Sequence, residues 1–232
     1  MPTEAGTDMV TTPRPDIIKT GTNSLEEKIL SRDAVVGIIG MGYVGLTLSF
    51  HIAEAGYTVI GYDVDPRRIT SLKNGEDSVT GSQNELIKTL LSKHLLQPHS
   101  DSGSLSEADI IIISVPTPLT RNQIPDLSHI NDASALAADH LKINMLMILE
   151  STTYPGCTRE LMLPTLEQSG LKVGRDFWLA FSPERVDPGR GRDLKATPKL
   201  VGGITSGCSE IAALFYSQVF EDVIELSSTE VV

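Results

Sequence analysis

The sequence predicts an α/β fold built on a doubly wound, mostly parallel sheet in a single domain. Apolar β-type runs alternate with helical patterns from residue 34 to residue 226, which is typical of such a sheet. The run at residues 108–115 contains four consecutive isoleucines. A run of this kind indicates burial on both faces, as a central parallel strand requires.

A glycine motif, Gly-Met-Gly-Tyr-Val-Gly, occupies residues 40–45 directly after the first apolar run. Val44, Leu48 and Ile52 then recur at four-residue spacing, which predicts a helix with one apolar face. A strand, a glycine turn and a helix in this order form the first unit of a dinucleotide-binding, Rossmann-like fold.

The three glycines have different tasks in such a turn. Gly40 permits the tight turn, Gly42 lets the backbone approach a pyrophosphate, and Gly45 lets the helix pack closely on the strand. The pyrophosphate would lie on the free N–H groups at the start of the helix. Taken alone, these glycines are weak evidence, because they are also compatible with an ordinary turn, so the second half of the fingerprint matters.

That second half is an acidic residue at the end of the next strand. The run at residues 57–62 ends at Asp63, about 20 residues beyond the glycines, as the fingerprint expects. A carboxylate there can accept hydrogen bonds from both ribose hydroxyls of NAD and would repel the additional phosphate of NADP. Arg68 could reach the adenosine end of the cofactor or remain a solvated helix arginine. The sequence therefore predicts NAD as the cofactor.

The other elements follow in alternation. Residues 1–23 are rich in Thr, Pro, Gly and Asp and are expected to be a flexible leader, and residues 24–226 form the NAD-binding domain. Helices are predicted at 24–31 (capping-box start), from 66 (after an Asp65 cap), and at 83–94, 130–141, 157–169 and 209–220. Strands are predicted at 34–39, 57–62, 108–115, 145–149, 177–181, 200–203 and 223–226, with breaks at Pro98 and Gly103.

Composition excludes several classes of function. The net charge is −11 and no basic cluster is present, which argues against nucleic acid or an anionic membrane surface as a partner. No apolar run reaches ~18 residues and no signal-like leader is seen, so no membrane span is predicted and a cytoplasmic location is the default expectation. The two cysteines are too few for a disulfide scaffold, and no histidine has a partner at ligand spacing, so no metal is assigned.

Three strand ends carry further motifs. They are Val-Pro-Thr-Pro-Leu at 115–119, Glu-Ser-Thr-Thr-Tyr-Pro-Gly at 150–156 and Phe-Ser-Pro-Glu-Arg-Val-Asp-Pro-Gly at 181–189. In open α/β folds, ligands bind at the carboxyl edge of the sheet, where such strand ends meet. With the motifs at 40–45 and 62–65, this ordered set resembles the UDP-glucose/UDP-mannose (nucleotide-sugar) dehydrogenase family. The variant at 182–189 is most similar to its UDP-N-acetylglucosamine 6-dehydrogenase branch.

The resemblance implies an activity and a set of site residues. The family oxidises the C6 alcohol of the sugar to a carboxylate with two NAD⁺, through a cysteine-bound thiohemiacetal and thioester. Thr152 is placed beside the reacting C6, and Glu184 and Arg185 in the loop that shapes the sugar pocket, with Thr152 and Glu184 as the catalytic candidates. The cofactor contacts predicted from the motifs and the resemblance are Gly40, Met41, Gly42, Tyr43, Val44, Gly45, Asp63, Arg68, Val115, Pro116, Thr117, Glu150 and Thr158.

This sequence departs from the family pattern in two ways. Pro188, preceded by Asp187, stands where the UDP-glucose branch has a glutamate that assists hydrolysis, which agrees with the N-acetylhexosamine branch. The family's connector helix and its second domain with the Gly-x-Cys nucleophile would follow residues 227–232, expected as the start of a truncated connector. Neither Cys157, at a helix start where a dipole could lower its pKa, nor Cys208, at the start of a surface-type helix, is expected to replace that nucleophile.

The leading hypothesis is therefore the NAD-binding domain of a UDP-N-acetylhexosamine 6-dehydrogenase, with UDP-N-acetylglucosamine as the favoured substrate and surface polysaccharide as the product's destination. Two alternatives stay open. One is a stand-alone NAD-binding module, or one completed by a separate partner chain. The other is a hydroxyacid-type NAD-dependent dehydrogenase. The family dimerises through the connector, so both a homodimer and a monomer are open for this chain.

Overall fold

The computed structural model describes residues 24–119, 122–123, 125–184 and 197–232. In these ranges the strands are β1 (Val35–Ile39), β2 (Thr58–Tyr62), β3 (Leu96–His99), β4 (Ile110–Ile113), β5 (Leu146–Leu149), β6 (Trp178–Phe181), β7 (Lys199–Gly203) and β8 (Val223–Leu226). The α-helices are α1 (Leu25–Ser31), α2 (Tyr43–Glu54), α3 (Pro66–Lys73), α4 (Asn84–Ser92), α5 (Ser128–Asp139), α6 (Leu163–Glu167) and α7 (Ser206–Tyr216). A 3₁₀ helix spans Ser102–Glu107, and a π-helix, Thr158–Met162, leads into α6.

All eight strands form one sheet in the order β3-β2-β1-β4-β5-β6-β7-β8. Neighbouring strands pair in parallel except β6 and β7, which are antiparallel. The prediction of a doubly wound, mostly parallel, Rossmann-like sheet is confirmed. Because β7 runs against β6, its first residue, Lys199, lies at the same edge as the carboxyl ends of β1–β6.

The central strands are buried on both faces, as the isoleucine run predicts. Ile110 and Ile112 of β4 face a core formed with α1–α4 and α7, whereas Ile111 and Ile113 face a second core formed with α5, the π-helix and α6. The same alternation holds in β5 and β6. Helices therefore cover the sheet on both sides and leave its carboxyl edge to the loops.

Two predicted helix starts have the expected caps. Ser24 and Glu27 form a reciprocal capping box, in which the Glu27 N–H donates to Ser24 Oγ at 3.2 Å and the Ser24 N–H donates to Glu27 Oε2 at 3.0 Å. Asp65 caps α3 by accepting a hydrogen bond from the Arg67 N–H, and Pro66 stands at the first helical position.

Two expectations about individual elements were wrong, those for Pro98 and Cys208. Residues 96–99 form strand β3 despite Pro98, because β3 pairs with β2 and lies at the edge of the sheet as far as the described residues show. The helix predicted from residue 157 is present, and its first part is a π-helix that continues into α6. Cys208 does not open a surface helix: it is fully buried, and its sulfur accepts a hydrogen bond from the Leu179 N–H at 3.4 Å.

The two ends of the chain bear on the predicted domain limits. Residues 1–23, expected as a leader, lie outside the described residues. Residues 227–232 form bends and a turn beside the π-helix, and Arg159 Nε donates to Glu230 Oε1 at 2.7 Å. That a connector helix begins there stays a prediction. Among the helices that the structure describes, none combines the length and the apolar character needed to cross a membrane.

Candidate functional site: the carboxyl edge of the sheet

The glycine loop after β1 is packed so tightly that two of its glycines have no room for a side chain. Gly40 has φ +98°, and a Cβ there would lie 2.5 Å from the carbonyl oxygen of Ser114, at the end of β4. A Cβ on Gly45 would overlap the carbonyl oxygen of Gly40. The start of α2 therefore lies directly against the ends of β1 and β4, as expected for the tight turn and for close helix packing.

Gly42 differs from both, because a Cβ on it would meet no atom of the described residues within 4 Å. It is the N-cap of α2, and no side chain caps the helix there. An N-cap glycine beside open space leaves the first N–H groups of the helix available to an anion. The open cradle at Gly42 thus fits a pyrophosphate, whereas Gly40 and Gly45 are explained by packing within the protein.

Asp63 lies directly beside this loop. Its side chain is 5% exposed, and its Oδ2 accepts hydrogen bonds from the Met41 N–H at 2.8 Å and from Arg68 Nη1 at 2.7 Å. Its Oδ1 accepts from the Asp65 N–H at 2.9 Å. The structure thus brings together three of the predicted cofactor residues, and it shows that the Asp63 carboxylate also fixes the glycine loop.

Asp63→Asn should weaken NAD binding and reduce the discrimination against NADP. The variant removes the negative charge but keeps an oxygen that can accept from the Met41 N–H, so the fold should remain. We expect the dissociation constant for NAD to rise at least about tenfold, the size of one charge-assisted hydrogen bond, while that for NADP changes less. Calorimetric titration with both cofactors measures this.

Asp65→Asn is the matched control, because Asp65 binds the exposed Arg67 and asparagine also caps helices well. Its NAD affinity should stay within about twofold of the wild type. An equal loss in both variants would contradict the assignment of Asp63 to the ribose.

The loops after β4 and β5 are joined by hydrogen bonds. Ser151 Oγ accepts from the Val115 N–H at 2.9 Å and donates to the Val115 carbonyl at 2.8 Å. Thr117 Oγ1 donates to the Thr152 carbonyl at 2.8 Å. The predicted residues Val115, Thr117 and Thr152 therefore lie together, and the Thr152 side chain is exposed at this edge. The bridging role of Ser151 was not predicted.

Thr158 is buried, with 2% of its surface exposed, at the start of the π-helix. Its contact with NAD stays a prediction. Arg185 lies outside the described residues, as do Asp187 and Pro188.

Glu150 is the most deeply buried acid at the edge, with 1% of its surface exposed. Its Oε2 accepts from Lys199 Nζ at 2.7 Å, and its Oε1 accepts from the Tyr216 hydroxyl. Lys199 Nζ also donates to Glu184 Oε2 at 3.1 Å. Both Glu150 oxygens are thus engaged by protein side chains, and its predicted contact with NAD remains a prediction.

No role was predicted for Lys199 or Tyr216 from the sequence. A lysine before an apolar strand is a common pattern, and its acidic partners lie 49 and 15 residues away in the sequence. Only the antiparallel course of β7 brings them together.

Burial shifts the pKa values of two of these side chains, Glu150 and Tyr216. It raises the pKa of Glu150 to about 7, although Lys199 acts in the opposite direction. Burial also raises the pKa of Tyr216 well above 10.0, and the neighbouring Glu150 carboxylate adds to that effect. The Tyr216 hydroxyl therefore remains a hydrogen-bond donor at neutral pH.

The free energy of unfolding should fall as the pH rises from 4.5 to about 7. Over this interval the folded chain keeps a proton on Glu150 that the unfolded chain releases, so this stabilisation is complete below 4.5 and is lost as the pH passes 7. The loss should be on the order of a few kcal/mol. Urea unfolding at several pH values measures it, with Glu150→Gln as the reference that lacks the titrating group. Identical pH dependence in both proteins would contradict the raised pKa.

Neither cysteine is expected to act as a nucleophile. Cys157 and Cys208 are both buried, and burial raises the pKa of the Cys157 thiol, opposite to the lowering that a helix dipole could produce. Within the described ranges, no three His, Cys, Asp or Glu residues are grouped so that they could hold a metal ion.

Comparison with known proteins decides the family. Residues 34–220 match the sequence model of the UDP-glucose/GDP-mannose dehydrogenase family, NAD binding domain. The chain belongs to this family. Its cofactor is therefore NAD, as the fingerprint predicts. The second nucleotide sugar in the family's name is GDP-mannose, not the UDP-mannose given above for the resemblance.

Individual relatives agree with this assignment. The chain is 37% identical over 186 residues to Protein CapL of Staphylococcus aureus, covering 79% of this chain and 43% of that protein. It is 35% identical to UDP-N-acetyl-D-glucosamine 6-dehydrogenase of Salmonella typhi, with the same coverage. Among solved structures, a UDP-D-ManNAc dehydrogenase from Pyrococcus horikoshii is similar with a TM-score of 0.80 and 30% identity, covering 85% of this chain and 47% of that one. The chain thus spans less than half the length of these relatives.

Proposed function

We propose that this chain is the NAD-binding part of an enzyme that oxidises the C6 alcohol of a UDP-N-acetylhexosamine, with UDP-N-acetylglucosamine as substrate. The observation that carries the proposal is the joining of two loops at one edge. The Thr117 hydroxyl binds the Thr152 carbonyl at 2.8 Å, so the loop assigned to NAD and the loop assigned to the sugar carbon are adjacent. Such adjacency is what hydride transfer between a cofactor and an alcohol carbon needs.

Each loop then has one task in the proposed reaction. The start of α2 and Asp63 would hold the cofactor, and NAD⁺ supplies the hydride acceptor when it is bound. The exposed Thr152 hydroxyl would orient the oxygen on C6 or a water molecule. Glu184 would contribute to the sugar pocket from the loop after β6, close to the same edge. The reaction would take place in the cytoplasm, where its cofactor is available.

Two features favour an N-acetylhexosamine over glucose. The Ser-Pro-Glu-Arg-Val-Asp-Pro-Gly segment at 182–189 has the form expected for that branch. The relative from Salmonella typhi is named for UDP-N-acetyl-D-glucosamine, although the structure from Pyrococcus horikoshii is named for the manno epimer. The choice of the gluco epimer is therefore the most specific claim of the proposal and needs its own measurement.

The test is a panel of substrates. The chain is mixed with NAD⁺ and, separately, with the UDP derivatives of N-acetylglucosamine, N-acetylmannosamine, N-acetylgalactosamine and glucose. A 3-hydroxy acid is included for the hydroxyacid alternative. NADH formation is followed by absorbance, and calorimetry measures binding of each compound with NADH present. We expect UDP-N-acetylglucosamine to turn over fastest or to bind at least about tenfold more tightly than UDP-glucose, the equivalent of about 1.4 kcal/mol.

Thr152→Val provides the control within the site, because valine keeps the shape and removes the hydroxyl. It should keep NAD affinity within about twofold while NADH formation falls about a hundredfold, the lower range for a lost proton-transfer or orienting group. Equal turnover on UDP-glucose, or activity only on the hydroxy acid, would contradict the proposal. Binding of NAD and the sugar without turnover would favour a chain completed by a partner.

A further inference from the structure

Lys199 is a buried lysine at the edge where the site lies. It is 4% exposed, although it is the first residue of its strand. The antiparallel course of β7 brings its ammonium to the end of β5 and to the loop that follows β6. A buried lysine is costly unless its charge is paired, so its partners indicate why it is there.

Those partners come from three elements. Glu150, at the end of β5, binds Lys199 Nζ at 2.7 Å, and Glu184, in the loop after β6, binds it at 3.1 Å. The rings of Tyr216 and Phe220 lie 5.1 Å and 5.5 Å from Nζ and complete its surroundings with cation–π contacts. The Lys199 ammonium thus links the buried Glu150 carboxylate to Glu184 in the loop after β6.

The two carboxylates are not equivalent. Glu150 is also held by the Tyr216 hydroxyl, so it is fixed to the core from both sides. Glu184 belongs to a loop whose start is tied to β7 by Ser182, which donates to the Leu200 carbonyl at 2.8 Å. The Lys199 ammonium adds a second tie to β7, this time through the Glu184 side chain.

Two other roles explain the side chains around Lys199 less well than a positioning role does. These are a proton path and a purely stabilising function. A proton path would need an outlet to solvent beyond Tyr216, but Tyr216 and its hydrogen-bond partner Ser182 are both completely buried. Stability alone is also a poor reason, because apolar residues of similar volume usually replace a buried ion pair without loss. What apolar residues could not do is hold a carboxylate of the loop in one place.

We propose that Lys199 is a positioning residue for the nucleotide-sugar site: its ammonium, held by Glu150 and Tyr216, fixes the Glu184 side chain at the carboxyl edge of the sheet. The inference rests on the proposed function, since Glu184 matters to the sugar only if a nucleotide sugar binds there. It adds a residue that touches neither cofactor nor sugar and that acts through Glu184.

The test separates binding of the sugar from binding of the cofactor. Calorimetry gives the dissociation constants of the full chain for NADH and, with NADH saturating, for UDP-N-acetylglucosamine. Lys199→Met keeps the aliphatic stem and removes the charge. We expect it to weaken UDP-N-acetylglucosamine binding at least tenfold, while the NADH dissociation constant stays within threefold. Lys199→Arg keeps the charge and should restore part of the lost affinity.

A double-variant comparison tests whether Lys199 acts through Glu184. Glu184→Gln should weaken sugar binding about as much as Lys199→Met, and the combined variant should be no weaker than either alone. Lys172→Met removes an exposed lysine paired with Glu167 and serves as the control, with both dissociation constants unchanged. If Lys199→Met does not fold, Lys199→Gln replaces it, because its amide can still donate to Glu150.

Three results would overturn the inference. The first is wild-type sugar affinity in a folded Lys199 variant. The second is an equal loss of NADH and sugar binding, as expected for a purely structural lysine. The third is multiplicative losses in the combined variant. Failure of the wild-type chain to bind any UDP sugar is a different result: it would contradict the proposed function, and the inference with it.

Discussion

Gly45→Ala is expected to prevent stable folding of the chain. The added methyl group would overlap the carbonyl oxygen of Gly40 and lie 3.1 Å from its carbonyl carbon. Both are backbone atoms in a turn already fixed by Asp63 and by the end of β4, so no side-chain rotation can make room. The helix α2 would have to move off β1, and we expect a loss above about 4 kcal/mol, which is exceptional for one substitution. Urea unfolding and soluble yield measure it.

Gly207→Ala is the matched control, because Gly207 also lies in the first turn of a helix that packs on the sheet. A Cβ there has its nearest contact at 3.6 Å, an ordinary van der Waals distance. Since alanine has a higher helix propensity, the control should be neutral or more stable by up to about 1 kcal/mol. Similar stability in both variants would contradict the close packing of α2 on the glycine loop.

Gly42→Ala is expected to produce the opposite result, a folded chain that no longer binds NAD. Gly42 has an extended backbone that alanine adopts readily, and its Cβ would lie more than 4 Å from other atoms in the part of the chain that the structure describes. The free energy of unfolding should change by less than about 1 kcal/mol, the usual cost of alanine at an N-cap. The methyl group would instead occupy the space through which a pyrophosphate reaches the N–H groups of α2.

The expected loss in NAD affinity is at least about a hundredfold, or about 2.7 kcal/mol. Calorimetric titration measures it, and thermal unfolding of the same sample confirms that the variant is folded. Threefold weaker binding or less would mean that the cofactor does not approach Gly42 closely. In that case the assignment of the glycine loop to the pyrophosphate would be wrong.

The parts of the fold that the sequence predicts best are those with strong local patterns. The four isoleucines of β4 and the glycine fingerprint each reflect a constraint within a short segment, and the mostly parallel sheet and both helix caps agree with their predictions. Strand β3 was missed because Pro98 argues against a central strand, and only its place at the edge makes it acceptable. An edge position depends on the whole sheet and is not visible in four residues.

The same distinction between local patterns and long-range arrangement applies to the candidate site. Asp63 could be identified because its distance from the glycines is set by one β-α-β unit. The cluster of Lys199, Glu150, Glu184 and Tyr216 could not be identified from the sequence. Its members come from the end of β5, from β7, from α7 and from a loop, and they meet only through the reversed direction of β7. Cys208 was judged from the polar start of its helix, but the helix turns that position toward the sheet.

The most direct test of the NAD site is a calorimetric titration of the wild-type chain with NAD and with NADP. The central claim is that the glycine loop and Asp63 form an NAD site at the carboxyl edge of the sheet. We predict that NAD binds with a 1:1 stoichiometry and at least about tenfold more tightly than NADP, because the Asp63 carboxylate repels a 2′-phosphate. Equal affinity for the two cofactors, or no binding of NAD, would contradict the claim.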